Sequence, residues 1–237
     1  MDISDFPQLE ATLVATDGYL KALSGLGDDD MRAPSLLPRW SRGHVVCHLA
    51  RNADGLAHAL RGAASGRDAW MYESQESREA DIDAGAGRSA DALREDASVS
   101  CELLRSAATE LPAERLSATV TRLAGMDDGF AAGKVMGMRR TEIEIHHADL
   151  GIGYTPADWP SDFAVHMIER RLEELGADGP SMVLSSTDVD GLWKFGSGQG
   201  PEVTGTAGHL AWWLVGRGAG TGLTSSTSEL PRLPSWR

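Results

Sequence analysis

Arg139-Arg140-Thr141-Glu142-Ile143-Glu144-Ile145-His146-His147-Ala148-Asp149-Leu150 is the stretch that decides how this chain is read. It reads as the last turns of a helix that begins near Asp127. On a helical wheel Ala131, Val135, Met138, Glu142, Ile145 and Asp149 fall on one stripe. Such a stripe faces a core, yet this one carries Glu142 and Asp149, with His146 at its edge. Buried acids are rare unless they are paired or bind a metal. Glu142 and His146 stand one turn apart on the same face, where a carboxylate oxygen and an imidazole nitrogen can hold one divalent cation. Glu144 and His147 point to the other side and are expected in solvent. Taken alone, such a pair is more often a surface ion pair. The apolar stripe and a second His-bearing helix upstream favour the metal.

That second helix opens at Trp40-Ser41, with Ser41 as N-cap, and runs to about Leu60. Val45, Leu49, Asn52, Leu56 and Leu60 form its apolar face, and Asn52 reads as a satisfied polar group in the core. His48 borders the face. His44 lies one turn earlier and further toward solvent, and His58 lies away from the centre. A histidine in His48's position is more often a hydrogen-bonded packing residue than a ligand. It becomes the natural third ligand if its helix lies beside the Glu142 helix.

Two further amphipathic helices are expected, one over residues 6–25 and one from Ser89 to about Leu111, closed by Pro112. Gly27-Asp28-Asp29-Asp30 reads as a loop. Gly62 to Gly87 is a long connection, of a length that marks functional or disordered segments. It holds Arg67, Trp70, Tyr72 and Arg78, and Arg88 follows it. A short extended piece fits between Leu116 and Gly125. Four amphipathic helices with one long crossover suggest a bundle whose site is built from inward-facing side chains. The run from Gly151 to Pro156 breaks the pattern and sets a boundary: 1–153 a helical bundle, 154–237 a small α+β domain. The second part should hold a helix capped by Ser161, strands near 182–184, 192–195 and 202–204, and a short apolar helix over Ala207–Val215. A peripheral tail follows from Gly220.

The chain has 237 residues, 41% hydrophobic and 24% charged, with a net charge of −13. That balance fits a soluble globular protein and argues against a nucleic-acid or anionic-membrane partner. An anionic substrate would need local arginines. The two cysteines, Cys47 and Cys101, imply no disulfide framework, so a reducing cytoplasm is the default location. The first residues lack a signal-peptide pattern, and no apolar run approaches a membrane span. A monomer or weak homodimer is expected.

Three motifs in order resemble one family. Trp40-Ser41-x-x-His44-Val45-Val46-Cys47-His48-Leu49 resembles the start of a helix in the DinB-like metal-binding bundle. Arg140-x-Glu142-x-x-x-His146-His147-x-Asp149-Leu150 resembles that bundle's fourth-helix signature. Ala211-Trp212-Trp213-Leu214-Val215-Gly216-Arg217 resembles the close of an α+β C-terminal domain. Together they resemble the mycothiol-dependent maleylpyruvate isomerases, over nearly the whole chain. The implied fold is α plus α+β, a four-helix DinB-like bundle followed by a small α+β domain.

The resemblance places a zinc site, or that of another divalent metal, on His48, Glu142 and His146, and selects His48 over His44. Many relatives carry an acidic residue where His44 stands. Family arginines that handle substrate or thiol fall on Arg217 and on Arg78, with Arg88 the rival for the second role. Without the resemblance, Arg217 reads equally as a cation at a helix C-terminus and Arg78 as a solvated loop charge. Asp149 is placed to accept a ring N–H from a metal-bound His146. The implied activity is isomerisation of maleylpyruvate to fumarylpyruvate, in the context of gentisate degradation. The cofactor is mycothiol, a low-molecular-weight thiol, acting as a metal-bound thiolate on a dicarboxylate electrophile. The same chemistry would serve a mycothiol S-transferase, and a non-catalytic metal- or thiol-binding module is the third reading. A structural zinc is usually closed by four protein ligands, and three good ones argue against that module.

Overall fold

Helix α3 (Arg42–Ser65) is the axis of the first half of the molecule, which the structure, a computed structural model, describes over residues 6–176 and 179–236. Ser41 caps it by accepting the backbone N–H of His44 at 3.3 Å, and Gly66 ends it in the left-handed region at φ 69°. Residues from Gly43 to Ala63 are buried on most sides, so α3 is a central helix rather than a surface one. Around it stand α1 (Leu9–Leu23), α5 (Ala90–Glu110) and α6 (Val135–Asp149), the three other long helices of the bundle. Short helix α2 (Asp28–Arg32) occupies the stretch expected to be a loop. Its three aspartates fall in the first turn, where the helix dipole favours acids, and Asp30 accepts the N–H of Gly27 at 2.9 Å.

The long connection after α3 is ordered. It holds β1 (Trp70–Tyr72) and α4 (Gln75–Gly85), whose N-cap Ser74 accepts from Ser77 at 3.0 Å. Strand β1 pairs in parallel with β2 (Thr119–Leu123), and β2 pairs antiparallel with β3 (Phe130–Ala131). The pairing of Phe130 and Ala131 explains why α6 starts at Val135 and not near Asp127. A 3-10 turn, Ala132–Lys134, joins the two.

The apolar core of this half forms two clusters. One joins Leu56 and Leu60 of α3 to Leu104 and Leu111 of α5 and Val135 and Met136 of α6. The other joins Val45 and Leu49 to Tyr19, Leu93 and Ile143. Asn52, Ser100 and Arg139, all buried, fall between these clusters along their helices and belong to neither. The bundle therefore carries a polar layer across its middle.

The chain divides into two units, Met1–Gly153 and Tyr154–Arg237. The second contains α7 (Ser161–Leu175), a sheet of β4 (Met182–Ser186), β5 (Leu192–Phe195), β6 (Glu202–Gly205) and β7 (Thr224–Ser225) in the order β5-β4-β6-β7, and α8 (Ala207–Leu214). The helix α7 begins at Ser161 itself, with Pro160 as N-cap. The tail is less peripheral than its Ser/Thr/Pro content suggests. It supplies β7, and buried Arg171 donates to the carbonyls of Leu214 at 3.0 Å and Pro234 at 2.7 Å. Among the described residues no helix is long and apolar enough to cross a membrane.

A Cβ on Gly43 would lie 2.3 Å from the carbonyl oxygen of Ala86, the C-cap of α4. The close approach of α3 to the end of α4 thus requires glycine. Gly43→Ala is expected to cost about 1–3 kcal/mol of stability through overpacking, read as a lowered urea midpoint with an unchanged slope.

Candidate metal centre

His48 on α3 and Glu142 and His146 on α6 converge, their ligand atoms all within 4.8 Å of one another. Glu142 Oε2 lies 3.0 Å from His48 Nε2 and 3.5 Å from His146 Nε2. The two imidazoles meet edge to face, with centroids 4.7 Å apart. Two nitrogens and one oxygen make a donor set suited to zinc and to several other divalent metals.

The second layer of contacts separates the two histidines. His146 Nδ1 lies 2.8 Å from Asp149 Oδ2, and Asp149 is fully buried. A carboxylate there fixes a ring proton on Nδ1 and directs Nε2 toward Glu142. His48 Nδ1 lies 2.9 Å from Arg78 Nη2. Guanidinium only donates, so Nδ1 accepts, and Nε2–H of the neutral ring donates to Glu142. Burial pushes the His48 pKa down to about 4, against the pull of Glu142. Burial also works to raise Glu142, but hydrogen bonds from His146 and His48 hold it well below the usual carboxylate range. Burial disfavours charge on His146 too, yet Asp149 and Glu142 outweigh it and raise its pKa.

His44 is engaged elsewhere: its Nδ1 lies 2.7 Å from Ser41 Oγ at the start of α3, and its ring stacks on Trp40. His58 is exposed, with Nδ1 2.7 Å from the carbonyl of Trp70. Among the loop arginines Arg78 stands at the cluster, because Ser74 starts α4 so that the helix's first turns face it. Arg88 is directed elsewhere, to Asp96 and to the carbonyl of Gly85 at 3.0 Å. Arg217 lies in the second unit just past α8, half-buried, with its N–H bonded to the Trp212 carbonyl at 3.0 Å. Trp213 is buried and Trp212 packs edge-on to Trp159, as expected of packing residues.

Two expectations about α6 need correction. Glu144 and His147 are buried, only 2% and 5% exposed. The helix is covered on its second face by α1: Tyr19 meets His147 edge-on at 6.0 Å, and Arg140 lies 3.9 Å from Glu144. The wheel shows one apolar stripe, but ion pairing and ring contacts allow the polar face to be buried as well.

A pocket adjoins His48 and Glu142. Asn52, Leu56, Met71, Tyr72, Arg78, Arg122 and Met138 line it with them. Arg78 lies over the Tyr72 ring at 5.6 Å, a cation–π contact. Burial raises the Tyr72 pKa, so the phenol is neutral. Arg122 was not visible as a site residue in the sequence. Its signal is the alternation Thr119-Val120-Thr121-Arg122-Leu123, which places Val120 inward, but nothing there tells which strand edge borders the pocket.

A family model described as the mycothiol maleylpyruvate isomerase N-terminal domain matches residues 14–151. The crystal structure of the mycothiol-dependent maleylpyruvate isomerase is similar to this chain at 28% identity and a TM-score of 0.87, over 100% of both chains. The structure of a mutant of that enzyme, with one histidine replaced by alanine, gives the same values: 28%, 0.87 and 100% of each chain. No curated protein matches the chain.

Asp149→Asn is expected to weaken divalent-metal affinity about 10–100-fold, the usual cost of losing a carboxylate behind a ligating histidine; chelator competition measures it. His44→Ala should leave metal stoichiometry unchanged. The raised pKa of His146 also sets a pH dependence. Protons compete for its Nε2 as the pH falls through that raised value, so metal affinity should fall with pH there first, whereas His48 adds to the loss only near its pKa of about 4.

Proposed function

Because this chain belongs to the family of the mycothiol maleylpyruvate isomerase N-terminal domain, we propose that it isomerises maleylpyruvate to fumarylpyruvate with mycothiol as a recycled thiol cofactor. The observation that carries this reading is the convergence of His48, Glu142 and His146 beside a pocket lined by arginines. The donor set fits a divalent cation, zinc by preference, and leaves room for an outside ligand. Bound there, the cation would supply the cofactor thiol as a thiolate, whose reversible addition to the cis double bond makes that bond single and free to rotate.

The chain's own residues bind and orient. Asp149 holds His146 with Nε2 toward the centre. Were His48 Nε2 to hold a metal, the proton of the neutral ring would stand on Nδ1, and Arg78 would have no acceptor there. Its guanidinium would then be free to turn to the pocket and pair with a substrate carboxylate. Arg217 is assigned the charge that develops on the enolate oxygen. Tyr72, neutral and beside Arg78, closes the pocket wall.

An ultraviolet assay of the metal-loaded protein with maleylpyruvate, with and without mycothiol, tests the proposal. Fumarylpyruvate should form only with the thiol present, and His48→Ala should abolish both metal binding and turnover. Arg217→Ala should lose roughly 10²–10³ in rate with metal retained. Normal turnover by that variant would remove Arg217 from the mechanism. A stable thiol adduct in place of product, seen by mass spectrometry, would make the protein an S-transferase.

A further inference from the structure

Asn52 sits one turn after His48 on α3, is 5% exposed, and lines the pocket. Its Oδ1 accepts from Arg139 Nη1 at 2.8 Å. Guanidinium cannot accept, so this bond fixes the amide with oxygen toward Arg139 and nitrogen away from it. Among the described residues Nδ2 has no hydrogen-bond partner of its own. The side chain is otherwise buried, so the space left to this N–H is the pocket that Asn52 lines.

Arg139 strengthens the case. It is 1% exposed, and its other bonds run to neutral groups, the Leu49 carbonyl at 2.8 Å and Cys101 Sγ at 3.4 Å. Among the described residues no carboxylate pairs with it. A buried cation behind Asn52 gives the pocket a positive potential, reinforced by Arg78 and by Arg122 on β2. The carboxylate that lines the pocket, Glu142, is occupied by the two imidazoles.

We propose that Asn52 is a substrate-binding residue whose Nδ2 donates to a carboxylate oxygen of the electrophile, with Arg122 as the outer electrostatic anchor of the same group. That the ligand is a dicarboxylate electrophile rests on the reading of the preceding subsection. The assignment of Asn52 rests on its own geometry. It is held by a buried arginine and needs no movement to bind, whereas Arg78 must leave His48.

Calorimetric titration of maleate, an unreactive cis-dicarboxylate, into the metal-loaded protein tests this. Asn52→Asp keeps an acceptor for Arg139 at nearly the same volume and turns only the pocket-facing N–H into a carboxylate oxygen. It should raise the maleate Kd at least about tenfold, with thermal midpoint and metal content retained. Asn52→Ala removes the donor without adding charge and should weaken binding several-fold, which also covers the case in which Asn52→Asp alters metal content. Arg122→Gln, at an exposed position, should weaken it several-fold as well. An unchanged Kd in both Asn52 variants, or no maleate binding by the wild-type protein, overturns the assignment, and an unchanged Kd in Arg122→Gln removes the outer anchor. Maleylpyruvate turnover is measured alongside. Turnover without Asn52 dependence sinks this inference alone. Asn52-dependent maleate binding without turnover leaves the subsite standing and sinks the proposed reaction.

Discussion

One carboxylate held between two imidazoles is the constraint on which this bundle depends. His48 and Glu142 are 94 positions apart in sequence, and they meet at 3.0 Å only because α3 and α6 lie side by side. The cap at Ser41 fixes where α3 begins, and the 3-10 turn before Val135 fixes where α6 begins. A slip of one residue in either helix would turn its ligand by about 100°, away from the other. The starting points of these two helices therefore set the geometry of the centre.

Such a centre is expensive to bury, and the bundle handles the cost by concentrating it. The polar layer that carries Asn52, Ser100 and Arg139 lies between two apolar clusters that hold the helices together on either side. Most groups of the layer have a partner: Asn52 with Arg139, Arg139 with Leu49 and Cys101, His146 with Asp149. Paired polar groups of this kind contribute little net stability, but removing one partner strands the other at a cost of about 1–3 kcal/mol. The layer thus fixes helix register more than it adds to stability.

Much of the arrangement was legible in the sequence. The i, i+4 pair Glu142 and His146 on an otherwise apolar stripe pointed to the centre, and the resemblance selected His48 over His44, which lies further toward solvent on its helix. The helices of the bundle and the strands of the second unit followed from periodicity and turn residues. What escaped was tertiary. Glu144 and His147 looked solvent-facing because a wheel cannot show that α1 would cover them with Tyr19. The segment around Arg78 looked like a long loop because α4 is polar and short of apolar residues. Its capping signal, Ser74 followed by Ser77, is weaker than Ser41 before an apolar run. Arg122 came to the pocket through a parallel pairing of β1 with β2 across a connection that holds two helices, a juxtaposition that no local pattern encodes.

The donors around the pocket differ in how they are held, and that difference divides their roles. Asn52 is locked by Arg139 from behind, so its orientation does not depend on what occupies the centre. Arg78 is bonded to the ring of His48, so its orientation does. A fixed donor can select a ligand by shape and charge before the centre is complete. On the proposed function, a donor freed when His48 turns its lone pair to a metal would engage substrate only afterwards. Under the proposed function, substrate capture by Arg78 would be coupled to occupation of the centre through a single imidazole, because a ring nitrogen that carries the proton cannot accept from the guanidinium. That order would rest on the hydrogen bonds of His48 alone and would need no movement of the helices.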